Sequence, residues 1–364
     1  MIYLVIILGI VAMALSQISP RHFKYGLESA WLLIFIFLAI RYDFGNDYYN
    51  YQYIFNDIAS ASSFAYDDTL HFEKGWQVLC WIFKPVGFYG MVFVLTAFEC
   101  YVYYRIIKQY VPQKYYWLSI FLFVFSPGLM LIGASMMRNQ LAIAIFLCSV
   151  KFIFERRIIP YLLLIYLATT IHRSAIILYP IFLLGFIRNL KISNITVYII
   201  LIGYIVLSYL GPKLSPIVEQ LAILANMQET YEVYSTNTRN GISYGIGSVI
   251  QFVILTYSLF IVGRLDSKAN LICILFLLGN FIEPFSATVP MVARFIYYFS
   301  CFAILLYPIT LNVAVIPLKR NVLIVRHGVM LLLIFITLYS FYSFFQDPVW
   351  IKAYSSYKTI FSVV

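Results

Sequence analysis

Charge is scarce in this chain. Asp, Glu, Lys and Arg make up 11% of its 364 residues, whereas 63% are apolar and the mean hydropathy is +0.88. A soluble fold of this length needs far more polar surface, so lipid has to be the solvent for much of it. No Gly-rich phosphate loop is present to cradle a nucleotide. The five cysteines, Cys80, Cys100, Cys148, Cys273 and Cys301, stand in apolar stretches without CxxC or metal spacing, which argues against a disulfide framework or a zinc module. No Lys or Arg precedes the apolar run from Met1 to Leu15, as the basic start of a secretory signal would, and the run is expected to be a first span, with cleavage after Ala14-Leu15-Ser16 as the alternative. Internal repeats, low-complexity tracts and a soluble domain are also missing, and residues 1–364 are expected to form a single membrane domain. The net charge of +10 is scattered between apolar runs with no basic stripe. It therefore indicates topology determinants and contacts with membrane lipids, not a nucleic-acid partner.

What the chain has in abundance is apolar runs. Punctuated by charge, Pro and Gly, they predict an all-α polytopic fold of about twelve transmembrane helices. The spans fall near 1–17, 27–41, 86–106, 115–134, 139–155, 158–171, 174–188, 195–210, 246–263, 269–284, 293–316 and 328–346. Segment 76–85, with Trp76, Trp81 and Lys84 before Pro85, predicts a short helix lying in the interface. The sixth and seventh spans are short and meet at Thr169 to Ser174, as a hairpin turning below the surface would. Alternate loops carry Arg21 and Lys24; Arg105, Lys108 and Lys114; Lys151, Arg156 and Arg157; Arg188 and Lys191; Arg264 and Lys268; Lys319, Arg320 and Arg326. The positive-inside rule makes that face cytoplasmic. The stretches 42–75 and 211–245 are then extracytoplasmic loops, and they concentrate the acids, among them Asp43, Asp47, Asp57, Glu73, Glu219 and Glu232.

Five arginines depart from this sorting. Arg41, Arg138, Arg173, Arg239 and Arg294 fall on the outer face, four of them at or near helix ends. Arginine in such places usually has an anionic partner, and at an outer membrane surface the phosphate or pyrophosphate head of a lipid carrier is the expected one. In the first motif, Arg41 to Tyr51, Gly45 permits a tight turn that could bring Asp43 and Asp47 together as a base, metal ligands or sugar contacts. Its aromatics, such as Tyr48 and Tyr51, suit sugar faces; a solvated exit loop in a Tyr belt is the plainer alternative. Arg138 is expected at a helix N-terminus, where orphan N–H groups also favour an anion; a structural salt bridge or a snorkelling side chain is the plainer alternative. In His172-Arg173-Ser174, the imidazole could take a proton from an attacking hydroxyl while Arg173 holds a phosphate oxygen; a satisfied structural histidine is the plainer alternative. Arg294 and Tyr297 offer a further anion ligand and hydrogen-bond donor, with a local Glu283–Arg294 ion pair as the alternative. The loop Tyr231 to Asn240 mixes aromatics, amides and acids, as a carbohydrate contact or any interfacial loop would.

In order along the chain, several of these pieces resemble the EpsG family of Wzy-type oligosaccharide repeat-unit polymerases. The matching elements are Arg41…Gly45-x-Asp47-x3-Tyr51 with Phe55, Glu73-x-Gly75-Trp76, Arg138-Asn139-Gln140, His172-x-Ser174-Ala175, Arg294-x2-Tyr297 and the tail Tyr354-x2-Tyr357-Lys358-Thr359. Asn139 interrupts the family's usual Arg-Gln pair. The resemblance implies a GT-C-like glycosyltransferase fold with short broken helices and an outer-face cavity, in the bacterial cytoplasmic (inner) membrane. It implies that undecaprenyl-pyrophosphate-linked oligosaccharides are joined outside that membrane with release of undecaprenyl pyrophosphate, and a chain-length regulator protein as a further partner. Arg138, Arg173 and Arg294, then Arg41, are assigned to the pyrophosphate. His172 or Asp47, then Glu73, is assigned as base, and Asp43, Tyr48, Tyr51 and Tyr297 to sugar. No cofactor is expected, although Asp43 and Asp47 leave a divalent metal open. The competing readings are a lipid-linked oligosaccharide flippase, which should show two comparable halves, an O-antigen ligase sharing the same donor, and a membrane acyltransferase, which should place its key His on the inner face.

Overall fold

The computed structural model describes residues 1–18, 23–187, 189, 192–224, 246–286, 292–312 and 320–362, and these are almost wholly helical. The backbone divides into two compact units, Met1–Phe182 with Thr337–Val364, and Leu183–Ile336. Five helices are long and apolar enough to cross a membrane: Gly87–Tyr110, Met137–Glu155, Ser267–Ser286, Ala293–Leu311 and Ile324–Phe344. Shorter apolar helices accompany them. The chain is an all-α, multi-pass membrane protein.

In the first unit, α1 (Ile2–Ser16) packs on α2 (Gly26–Ala39). The stretch 42–75, expected as a loop, contains α3 (Tyr48–Ser60), which buries Tyr48, Tyr51, Ile54, Phe55 and Ile58 at helical spacing. Its tyrosines double as core residues, and that hid the period. The expected interfacial helix is α4 (Lys74–Phe83), with Trp76, Gln77 and Cys80 inward. Then come α5 (Gly87–Tyr110), packed on α2, and α6 (Tyr116–Phe125), packed on α1. The span expected at 115–134 is broken. Pro127 disfavours helical backbone at the residue before it, and Ser126 is extended at ψ 107°. A short α7 (Leu131–Ser135) follows, Met136 leaves the helix at ψ 63°, and α8 (Met137–Glu155) begins afresh. This break puts Arg138 in the first turn of a helix. α8 packs against α9 (Ile158–Ile171), whose outward stripe of Ile159, Leu163 and Tyr166 stays apolar and at least 64% exposed, as a lipid-facing helix should. The expected helix at 174–188 is instead a 3-10 run, Arg173–Leu183, containing Pro180, with a short α10 (Leu184–Ile187). A proline inside removes one N–H from the α-helical ladder.

In the second unit, α11 (Asn194–Leu224) extends 14 residues beyond the expected end at 210, into the stretch expected as the second outer loop. It packs on α12 (Ile246–Val262) and α13 (Ser267–Ser286), and α13 packs on α14 (Ala293–Ser300) and α15 (Ala303–Leu311). The span expected at 293–316 runs through Ala293–Leu311 with a turn at Cys301–Phe302, and its last residues lie outside the described ones. Arg239 and the Tyr231–Asn240 loop lie outside the described residues. α16 (Arg320–Phe344) returns the chain to the first unit.

The C-terminal tail closes on the first unit. After α17 (Pro348–Ala353), strand β2 (Lys358–Thr359) pairs antiparallel with β1 (Arg41–Tyr42). The Tyr354 hydroxyl donates to Leu131 O at 2.7 Å and Tyr357 to Phe37 O at 2.5 Å. Gly45, at φ +86°, lies so close to α7 that a Cβ there would come within 2.3 Å of Ser135 Oγ.

Candidate functional site

Three sequence motifs far apart along the chain meet at one carboxylate. Glu73 caps α4 in extended backbone and points toward the start of α8 and the end of α9. Its Oε2 accepts from the Arg138 guanidinium, 65 residues away. Its Oε1 accepts from the Arg173 backbone N–H at 2.7 Å and lies 3.3 Å from His172 Nδ1. His172 can stand there because it ends α9 in extended backbone, with its N–H still bonded to Ala168 O. α4 comes this near to α9 because residue 75 is glycine. A Cβ at Gly75 would lie 2.5–2.6 Å from Thr170 Oγ1 and the Thr170 carbonyl oxygen. The Glu73-x-Gly75 spacing thus sets a carboxylate one step from the helix–helix contact that delivers it.

The Arg138 guanidinium is held on both flanks. It lies over the Phe72 ring at 3.8 Å and over Tyr51 at 5.9 Å, and those two rings stack at 5.7 Å. A cation over an aromatic face gains from the ring quadrupole, more so where water is thin, and the Arg138 side chain is only 15% exposed. Phe72 is fixed by Gln77, whose Nε2 donates to Phe72 O at 2.9 Å and Asp67 O at 2.6 Å while its Oε1 accepts from the Asp67 N–H. Neither Phe72 nor Gln77 stands out in the sequence; the one trace is a Gln in line with Trp76 and Cys80 on the apolar face of α4, a position the structure buries wholly.

Burial alone would raise the Glu73 carboxyl. The hydrogen bond from His172, the Arg138 charge and the Arg173 N–H outweigh it and hold the group down at about 2. Glu73 is therefore an ionised anchor with both oxygens engaged. The remaining Nε–H of Arg138 has no hydrogen-bond partner among the described residues, and the Arg173 side chain is exposed. Both are chemistry suited to an incoming anion.

Other expectations need correction. Arg41 is 3% exposed, and its guanidinium donates to Leu38 O, to Thr96 Oγ1 at 2.8 Å and to Ala134 O at 3.4 Å. It ties the end of α2 to α5 and α7 and offers no face to a pyrophosphate. A pocket of only about 10 Å³ adjoins it, lined also by Glu99 and Gln140, which is room for a single water at most. Tyr48 is fully buried against Tyr42 and Phe88, and Tyr51 is 5% exposed beneath Arg138, so neither ring has a free face for a sugar. Asp43 pairs with Lys358 at 2.7 Å and belongs to the tail's clasp. Asp47 stands at the N-cap of α3, one turn before Tyr51, close enough for its charge to act on that phenol. Arg294 and Tyr297, three residues apart, share a face of α14 in the second unit. Among the described residues no three His, Cys, Asp or Glu side chains group as metal ligands.

The motifs that converge on Glu73 include those that carry the family resemblance. No curated protein and no solved structure matches the chain. Residues 29–359, nearly the whole sequence, match the EpsG family. The chain belongs to that family, and is a polysaccharide-polymerase-like, glycosyltransferase-type protein of the membrane.

Proposed function

We propose that this protein polymerises oligosaccharide repeat units carried on undecaprenyl pyrophosphate, at the outer face of the bacterial cytoplasmic membrane, through a GT-C-like arrangement of its helices. The observation that carries the reading is the Glu73 carboxylate, which gathers Arg138, His172 and the Arg173 backbone into one cluster. In the reaction a sugar hydroxyl of the incoming unit attacks the anomeric carbon of the growing chain. The bond from that carbon to the pyrophosphate oxygen breaks, and its electron pair leaves on undecaprenyl pyrophosphate.

Arg138, where little water competes, and the exposed Arg173 side chain stabilise the charge that develops on the departing diphosphate. Guanidinium charge takes the role that a divalent cation plays elsewhere. With its Nδ1 proton directed to Glu73, His172 uses Nε2 to take the proton of the attacking hydroxyl. Asp47 is the rival base. For Arg294 and Tyr297 the case for substrate contact rests on the sequence.

Purified protein given a synthetic lipid-pyrophosphate repeat unit tests this directly. Wild type should build a ladder of products, which Arg138→Ala and Arg173→Ala proteins of unchanged folding should fail to build. His172→Gln against Asp47→Asn tells which group takes the proton. Donor turnover without a ladder would point to a ligase or hydrolase, and no turnover with transbilayer movement of the lipid to a flippase.

A further inference from the structure

Away from Glu73, a groove of about 230 Å³ runs between α2 and α5. Its walls are apolar, with Leu32 and Phe35 on α2 facing Ala97 and Tyr101 on α5, and Ala97 leaves the gap by being small. One end is charged. Glu28 Oε1 accepts from Tyr104 at 2.8 Å and from Lys108 Nζ at 2.6 Å. The pair is open to more partners, since the Lys108 side chain is 52% exposed and that of Glu28 33%. Between the charged end and the trough sits Trp31. Its ring is 97% buried, stacked on Tyr103, yet its Nε1–H has no acceptor among the described residues. A buried indole N–H ordinarily finds one.

We propose that this groove binds one glycerophospholipid whose head group ends in a primary ammonium. The order of chemistry along α2 matches such a molecule from head to tail. Glu28 accepts from the ammonium, Lys108 meets the phosphate, the Trp31 N–H donates to an ester carbonyl, and Leu32 and Phe35 carry the upper acyl chain. Glu28 to Phe35 covers about 10 Å of helix at 1.5 Å per residue, the reach of a head group with its first methylenes. A glycerol head group brings only neutral hydroxyls to the Glu28 carboxylate where the ammonium brings a charge-assisted donor, and a choline has no N–H to donate to it. This site requires only that the chain sit in a bilayer, so it stands or falls independently of the polymerase reading.

Native mass spectrometry of the detergent-purified full chain tests it, with phosphatidylethanolamine, phosphatidylcholine and phosphatidylglycerol of identical acyl chains in equal amounts. The ethanolamine lipid should be retained about tenfold better than the other two, the worth of one hydrogen bond to a charged group. Glu28→Gln should bring its retention down to the choline level, and Ala97→Phe, which fills the trough, should remove the adducts of all three. Equal retention of the three lipids, preference for the glycerol lipid, or a Glu28→Gln protein that still selects ethanolamine would overturn the proposal.

Discussion

At Glu73 burial opposes ionisation, and the charge survives because Arg138, His172 and the Arg173 N–H converge on it. The folded value of about 2 lies below the ordinary 4.5, so this contribution to stability is complete above pH 4.5 and fades as pH falls toward 2. Glu73→Gln, which resembles the protonated state, should cost about 3 kcal/mol at neutral pH, the low end for a buried pair left with one member. Denaturant unfolding of both proteins across pH checks it: the gap should be constant above 4.5 and narrow below. A gap that widens on acidification would refute the anchor. Arg41 and Arg138 were indistinguishable in the sequence, both outward arginines near helix ends. Depth separates them, and depth is set by Thr96 and Ala134, which are 55 and 93 residues from Arg41. No local pattern encodes that.

Helices were the legible part of the chain. Expected boundaries at 27, 86, 139, 158 and 246 fall within two residues of the observed starts, because apolar runs bounded by Pro, Gly and charge are what lipid selects. The misses have physical causes. The break before Pro127 follows from a rule about the residue preceding proline, and α3 was masked because its buried tyrosines pass for an interfacial belt. The contact of α4 with α9 was invisible, although Gly75 was its trace. Gly75→Ala would drive a Cβ into the Thr170 backbone, push the two helices apart and displace Glu73. A shift of roughly 1 Å at a reacting constellation costs about 100-fold in rate. Polymerisation assays of Gly75→Ala should show that loss in kcat while the protein stays monodisperse; unchanged turnover would mean that the α4–α9 contact does not set the site.

For the molecule as a whole, composition alone established residence in a membrane, whereas which face looks outward rests on the distribution of Lys and Arg. Four of the five cysteines are buried and Cys148 half-buried, so background labelling should be low. Ser62→Cys should react with an impermeant maleimide on intact spheroplasts, and Lys114→Cys only after permeabilisation. The reverse pattern would put the Glu73 cluster in the cytosol and end the pyrophosphate reading. The first unit also bears on its surroundings through length. α1, α2 and α9 have 15, 14 and 14 residues, and at 1.5 Å per residue they rise about 21–23 Å against a hydrocarbon thickness of ~30 Å. Where such helices span the bilayer, the acyl chains beside them have to thin to match, with a cost that grows with every ångström of mismatch. A protein built this way should favour a thin sheet, and vesicles of 14-carbon lipid should support faster turnover than those of 20-carbon lipid, where the same helices would have to pinch the sheet further.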